Sequence, residues 1–314
     1  MVKTETLIGP LTLKNPVLVA SGTFGYGDEC RDLVDVNELG GIVTKSLSLK
    51  PRDGNPPPRI AETPAGMLNS IGLANIGVEQ FIREKLPFLK GLSCAVIANI
   101  AASSIDEYCS VLSRLEDTEG IDAYEINVSC PNVKEGGLSF GTDCRMTAEI
   151  TRRLRVLTKK AVILKLTPNV TRIADFARAV ADEGADAVSL INTIVGMAVD
   201  VRTRKPKLST VTGGLSGPAI RPIALAKVYE VALAVKIPII GIGGIMTAED
   251  AIEFLLVGAS AVQVGTANFI DPSAGVKITR GIADYCEQHR VSSVTEIVGS
   301  VRAPEGNTVL ASWL

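Results

Sequence analysis

Eight short apolar runs, each followed by a stretch long enough for a helix or an extended loop, constrain this chain more than any other feature. They are Pro16–Ala20, Gly41–Lys45, Cys94–Ala101, Ala123–Ser129, Ala161–Thr167, Ala187–Thr193, Pro238–Gly243 and Ala261–Thr266. Most are continuous Val/Ile/Leu segments rather than alternating ones, the pattern of parallel strands covered on both faces. Helical periodicity recurs between them at Ile105–Leu115, Met146–Thr158, Ile173–Glu183, Pro222–Val235, Ala248–Val257 and Ala274–His289. Eight such units in 314 residues predict an α/β fold, a closed (β/α)8 barrel of the TIM type, with an open doubly wound sheet as the alternative. No composition break marks a second domain, so residues 1–314 are read as one barrel domain. Ahead of the first run, Thr6–Ile8 and Leu11–Leu13 flank Gly9–Pro10 and read as a short N-terminal β-hairpin.

Two connections are too long for simple turns. Ser46 to Ile76 is rich in Pro and Gly, and Met197 to Pro218 carries VRTRKPKLSTVTGGLSG. Both follow strands, which places these long loops at the C-terminal face of a barrel, where active sites are built.

Composition narrows the function classes. With 32 basic against 34 acidic residues, the chain has no electrostatic footprint for nucleic acid or an anionic membrane. The cluster Arg152–Arg153–Arg155 with Lys159–Lys160 reads as one solvated face. The N-terminus lacks a signal-like basic-then-apolar design, and the apolar runs stop short of a membrane span, so a cytoplasmic location is expected. Six cysteines, at 30, 94, 109, 130, 144 and 286, are scattered without C-x-x-C pairs. This predicts no metal site in the chain and no secreted disulfide framework. The lone His289 sits in a polar helical tail.

Polar groups gather at the ends of the strand runs: Ser21, Lys45–Ser46, Asn99, Asn127, Lys165, Asn192–Thr193, Gly243–Gly244 and Gly265–Thr266. In a barrel such a ring converges on one pocket. Lys165 is flanked by apolar residues in AVILKLTP, and a buried ammonium needs an anionic or dipolar partner. A structural ion pair would serve, but a cofactor or substrate contact is the stronger reading. The glycines of GIGGIMTAED (241–250), VGTAN (264–268) and Gly213–Gly217 let backbone N–H groups approach an anion near helix starts. Gly241-x-Gly243-Gly244-x-Met246 fails the dinucleotide fingerprint at its last place, so the chain shows no nicotinamide site of its own. The fourth run ends in AYEINVSCPNVKEGG (123–137), where amides, a hydroxyl and the thiol of Cys130 follow directly on apolar sequence.

Together NVSCPN (127–132), TKS (44–46), NSIGLANIG (69–77), LKLTPN (164–169), INT (191–193), TGGLSGPAI (212–220) and GIGGI (241–245) resemble the dihydroorotate dehydrogenases, in the right order across most of the chain. Cys at the catalytic position and the lack of a membrane extension before the hairpin resemble the soluble class 1 enzymes. The wording of NVSCPNVKEGG and TGGLSGPAI is similar to their B-type. The resemblance implies oxidation of (S)-dihydroorotate to orotate in pyrimidine biosynthesis. It makes Cys130 the base for the C5 proton and places Lys165 beside the N1/O2 edge of FMN. Substrate-binding positions carried over are Lys45, Asn69, Asn127, Asn132, Asn192 and Thr193. Those lining FMN are Ala20, Ser21, Lys45, Ser46, Asn99, Asn127, Lys165, Ile191, Gly217, Gly243, Gly244, Gly265 and Thr266. The B-type resemblance further implies a heterotetramer, a homodimer core joined by two electron-transfer subunits carrying FAD and a 2Fe-2S cluster that pass electrons to NAD. Cysteines other than Cys130 are then core fillers. The alternatives are a fumarate-dependent A-type homodimer, a barrel that reduces a nucleobase, and a non-catalytic barrel subunit that binds a phosphorylated ligand.

Overall fold

In the computed structural model the eight apolar runs close on themselves. The structure describes residues 2–129 and 140–302, together with the backbone of Lys134–Glu135 and Leu138–Ser139, which pair as a small hairpin. The barrel strands are β1 (Val17–Val19), β2 (Gly41–Val43), β3 (Ala95–Ile100), β4 (Ala123–Asn127), β5 (Ala161–Lys165), β6 (Ala187–Leu190), β7 (Ile239–Ile242) and β8 (Ala261–Val264). Each pairs in parallel with its sequence neighbours, and β8 returns to β1. The open doubly wound alternative is thereby excluded.

Around the barrel lie α1 (Val78–Glu84), α2 (Ile105–Glu116), α3 (Cys144–Arg155), α4 (Ile173–Asp182), α5 (Arg221–Ala232), α6 (Ala248–Leu256) and α7 (Ala274–Gln288). The expectation of eight strand–helix units needs correction at the first connection. After β1 the described chain makes two single-turn 3-10 segments, Asp28–Cys30 and Val36–Glu38, in place of an α-helix. Starts and stops elsewhere follow local chemistry. Ser104 accepts a hydrogen bond from the Glu107 N–H to begin α2, and Asp143 accepts from Arg145 and Met146 to begin α3. Thr247 and Asp250 form a capping box on α6.

Strand alternation sorts the barrel interior into layers. Ala123, Ala161, Ala187, Ala261, Ile97, Ile163 and Ile240 fill the lower part, packed against Ile8, Leu11 and Leu13 of the N-terminal hairpin, which plugs the bottom. One pleat further along, the same strand faces carry Asn99, Glu125, Asn127, Lys165, Ser189 and Gln263, all buried. In register, Ile97 faces Ala123 and Asn99 faces Glu125, while Ile163 faces Glu125 and Lys165 faces Asn127. The barrel is thus apolar below and polar above.

The two long connections meet above that polar layer. Ile60–Thr63 and Gly66–Asn69 from the first combine with Ile194–Met197 and Thr212–Ser216 into a four-stranded antiparallel sheet. It has a small core of its own, Ala61, Leu68 and Leu208. Its glycines permit close approach: a Cβ on Gly214 would come within 2.0 Å of Thr193 Oγ1.

Two sequence readings change here. Arg155 leaves the solvated face and binds Asp186 at 2.5 Å, while Lys160 pairs with Glu116 at 3.1 Å. Cys94 and Cys286 are buried core residues as expected, but Cys30, Cys109 and Cys144 are only half-buried at the edge of the core. Among the described residues no helix is long and apolar enough to cross a membrane.

Candidate active site

The upper ends of all eight barrel strands bring the predicted residues into one ring. Ala20 and Ser21 follow β1, Lys45 and Ser46 follow β2, Asn99 lies near the end of β3, and Asn127 closes β4. Lys165 closes β5, Ile191, Asn192 and Thr193 follow β6, Gly243 and Gly244 follow β7, and Gly265 and Thr266 follow β8. Asn69 and Gly217 come from the covering sheet and its exit. Cys130 and Asn132 lie outside the described residues.

Within the ring the polar groups are wired together. Ser46 Oγ donates to Asn99 Oδ1 at 2.6 Å, and Asn99 Nδ2 donates to Glu125 Oε1 at 2.6 Å. Lys165 Nζ stands 3.5 Å from the same Glu125 oxygen and 3.3 Å from Ser21 Oγ. The intramolecular partner that the sequence reading ranked second for Lys165 therefore exists. Asn192 Nδ2 lies 3.4 Å from Asn127 Oδ1, which also accepts from the Ser129 N–H at 3.2 Å. Tyr108 donates its hydroxyl to the Asn127 carbonyl at 2.8 Å, fixing the end of β4 from α2. From the lid, Asn69 Nδ2 donates to the Gly214 carbonyl at 3.3 Å, and Asn169 Nδ2 holds the Thr193 carbonyl at 3.0 Å.

Lys45 differs from Lys165. It is half-buried, its N–H is held by the Gly25 carbonyl at 2.9 Å, and its ammonium has no partner among the described residues. A cation left free at the mouth suits an anionic ligand.

On the β7–β8 side the ring becomes a backbone cradle. Gly217, Gly243 and Gly244 have φ of 95°, 135° and 74°, conformations that favour glycine. A Cβ on Gly244 would meet both the Gly217 carbonyl and Arg221 Cβ at 2.8 Å. The start of α5 beside it has no side-chain cap, and neither has the 3-10 turn Thr266–Phe269 that follows Gly265. Uncapped N–H groups lined by glycine suit an anionic group such as a phosphate. Arg221 is engaged by Asp250, and Thr266 Oγ1 donates to Ser216 Oγ at 2.9 Å.

Sequence reasoning missed Glu125, Gln263 and Ser189. The signal was present, since Glu125 lies two residues before Asn127 and so shares its strand face. A carboxylate inside an apolar run needs partners. Those partners come from four other strands.

The barrel mouth thus combines a glycine-lined corner of uncapped N–H groups at β7–β8, a buried lysine at the end of β5 and a polar pocket under an antiparallel lid. The family model for dihydroorotate dehydrogenase matches residues 3–285. The chain belongs to the dihydroorotate dehydrogenase family. A relative from Thermodesulfovibrio yellowstonii, named dihydroorotate dehydrogenase B (NAD(+)), catalytic subunit, is 56% identical over 298 residues, covering 95% of this chain and 98% of the relative. One of the same name from Bacteroides thetaiotaomicron is 51% identical, covering 94% and 97%. In fold, the chain is similar to the crystal structure of a dihydroorotate dehydrogenase from Eimeria tenella in complex with ferulenol. The TM-score is 0.78 at 21% identity, covering 96% of this chain and 89% of that one. As a dihydroorotate dehydrogenase, the chain is an FMN-dependent oxidoreductase that converts dihydroorotate to orotate in pyrimidine biosynthesis.

Proposed function

We propose that this chain, as one barrel domain spanning residues 1–314, is the FMN-bearing catalytic subunit of an NAD-linked dihydroorotate dehydrogenase, with Cys130 as its base. The observation that carries this reading is the pairing of a glycine phosphate seat at Gly217, Gly243–Gly244 and Gly265–Thr266 with the buried Lys165 across the same barrel mouth. The donor set fits FMN: backbone amides for a phosphate, a cation and amides for a polar ring. When bound, FMN supplies the acceptor for the C6 hydride of dihydroorotate.

The chain's own groups do the rest. Lys45 offsets the substrate carboxylate, and Asn69, Asn127, Asn132, Asn192 and Thr193 exchange hydrogen bonds with the ring amides and carbonyls. Ala20, Ser21, Ser46, Asn99 and Ile191 line the cofactor side of the pocket. Lys165 presents an ammonium where negative charge accumulates as the flavin is reduced. Cys130 removes the C5 proton, which requires its thiolate. An ordinary thiol ionises near about pH 8.5, so the rate of flavin reduction rises as pH approaches that value.

Electrons then leave through a partner subunit carrying FAD and a 2Fe-2S cluster to NAD, in a cytoplasmic heterotetramer. The names of the relatives support the NAD link. Val195, Met197 and Val199 are exposed apolar residues on and beside the edge strand of the lid, which is consistent with an assembly surface there.

The test is anaerobic addition of dihydroorotate to the purified yellow chain. Bleaching that NAD reverses only after the second subunit is added supports the whole reading. A flavin that stays oxidised, or a Cys130→Ser variant that bleaches as fast as the parent, overturns the assigned chemistry.

A further inference from the structure

Glu125 is fully buried in the barrel, and nothing in the reaction above uses it. Its carboxylate accepts from Asn99 Nδ2 at 2.6 Å, Ser189 Oγ at 2.8 Å and Gln263 Nε2 at 2.6 Å, with Lys165 Nζ at 3.5 Å. These groups stand on β3, β6, β8 and β5, so the carboxylate ties together four strands besides its own. All four neighbours offer hydrogens and none requires one in return, which suits an acceptor-only carboxylate. For stability alone such a cluster is an inefficient choice, since well-packed apolar residues commonly do as well. What the cluster does hold is Lys165 and Asn99, two members of the ligand-facing ring. Gln263 Oε1 is buried and has no hydrogen-bond partner among the described residues, so this amide is oriented by what its nitrogen gives to Glu125.

We propose that Glu125 is a positioning residue that counter-charges Lys165 and keeps the reduction potential of the bound flavin lower than the lysine alone would set it. The proposal rests on the FMN reading above. An ammonium favours the reduced flavin because negative charge develops there on reduction. Left uncompensated, it would make electrons easy to accept and hard to release, whereas this enzyme must pass on every pair it takes. A carboxylate 3.5 Å from the ammonium cancels part of that field while fixing the side chain in place.

The test is the midpoint potential of FMN bound to the full-length chain, measured by dye equilibration in the parent, E125Q and S189A. E125Q keeps the shape and removes the charge, and the free Oε1 of Gln263 can turn to accept from the amide it introduces. Its potential rises above that of the parent. S189A removes one donor but leaves the carboxylate, which makes the site more negative and lowers the potential. An FMN-loaded E125Q with an unchanged or lower potential overturns the inference and leaves the FMN reading intact. Should E125Q fail to fold, S189A decides: a fall supports the proposal and no shift overturns it. A parent apoprotein that takes up no FMN overturns both readings.

Discussion

Ser129 donates its hydroxyl to the Lys165 carbonyl at 2.9 Å, which ties the last described residue before Cys130 to the strand that carries the lysine. The bond joins β5 to the loop after β4, above the ladder that already pairs these two strands. Such a bond contributes about 1 kcal/mol. Ser129→Ala is therefore expected to slow flavin reduction by roughly fivefold, since about 1.4 kcal/mol is a factor of ten. FMN content should not change. Stopped-flow absorbance under anaerobic conditions measures both.

Removing the lysine has a different signature. In Lys165→Met, Glu125 keeps its three neutral donors but loses its cation. Breaking a buried pair in this way costs on the order of 3 kcal/mol. Urea denaturation of the apoprotein should show that loss, alongside strongly slowed flavin reduction in the holoprotein. An apoprotein as stable as the parent would show that the ammonium is not the counter-ion the geometry indicates.

The glycine cradle makes a prediction about cofactor affinity. Gly244→Ala places a Cβ against the Gly217 carbonyl and Arg221 in a left-handed conformation. Strain of about 1–3 kcal/mol follows, and the neighbouring backbone must move from the phosphate seat. FMN affinity, followed by quenching of flavin fluorescence on binding to the apoprotein, is expected to fall by roughly tenfold or more, since about 1.4 kcal/mol is tenfold.

Lys45 has no ion-pair partner among the described residues where Lys165 has one, so its loss is expected to fall on substrate rather than on the fold. Lys45→Met should raise KM for dihydroorotate by roughly ten- to a hundredfold, because a hydrogen bond to a charged group is worth about 1.5–3 kcal/mol. Stability should stay near that of the parent. Steady-state kinetics with an artificial acceptor would detect the change.

Away from the site, Cys94 gives the protein an alkaline limit. Burial pushes its thiol up from 9.0 to about 11. A thiol whose folded pKa is raised holds its proton longer in the folded chain than in the unfolded one. That contribution is complete below about pH 9 and is lost as pH rises through about 11. Each unit corresponds to about 1.4 kcal/mol, so the loss is on the order of 3 kcal/mol. Denaturation midpoints across this range should fall, and Cys94→Ala should flatten the slope.

Much of the fold was legible because parallel barrel strands are buried on both faces and must be apolar throughout. All eight were placed, with bounds one to three residues wide of the hydrogen-bonded ladders. The missing first helix was less legible, since Asp28–Cys30 and Val36–Glu38 are turns too short to carry a period. Helix α1 also escaped notice: it runs for seven residues before Lys85, and Pro87 sits in the short helical turn that follows.

By itself the sequence determined which residues stand at the strand ends, because the polar positions follow directly on apolar runs and chain order places them. It also determined that Lys165 needs a partner, since desolvating an ammonium is costly wherever the fold puts it. Only the tertiary structure decided that the partner is Glu125. Strands β3, β4 and β5 are neighbours, but Ser189 and Gln263 reach the same carboxylate from β6 and β8 only when the sheet closes. The same holds for the lid. Gly66–Asn69 and Thr212–Ser216 are far apart in the chain, and their pairing depends on contacts that no local pattern records.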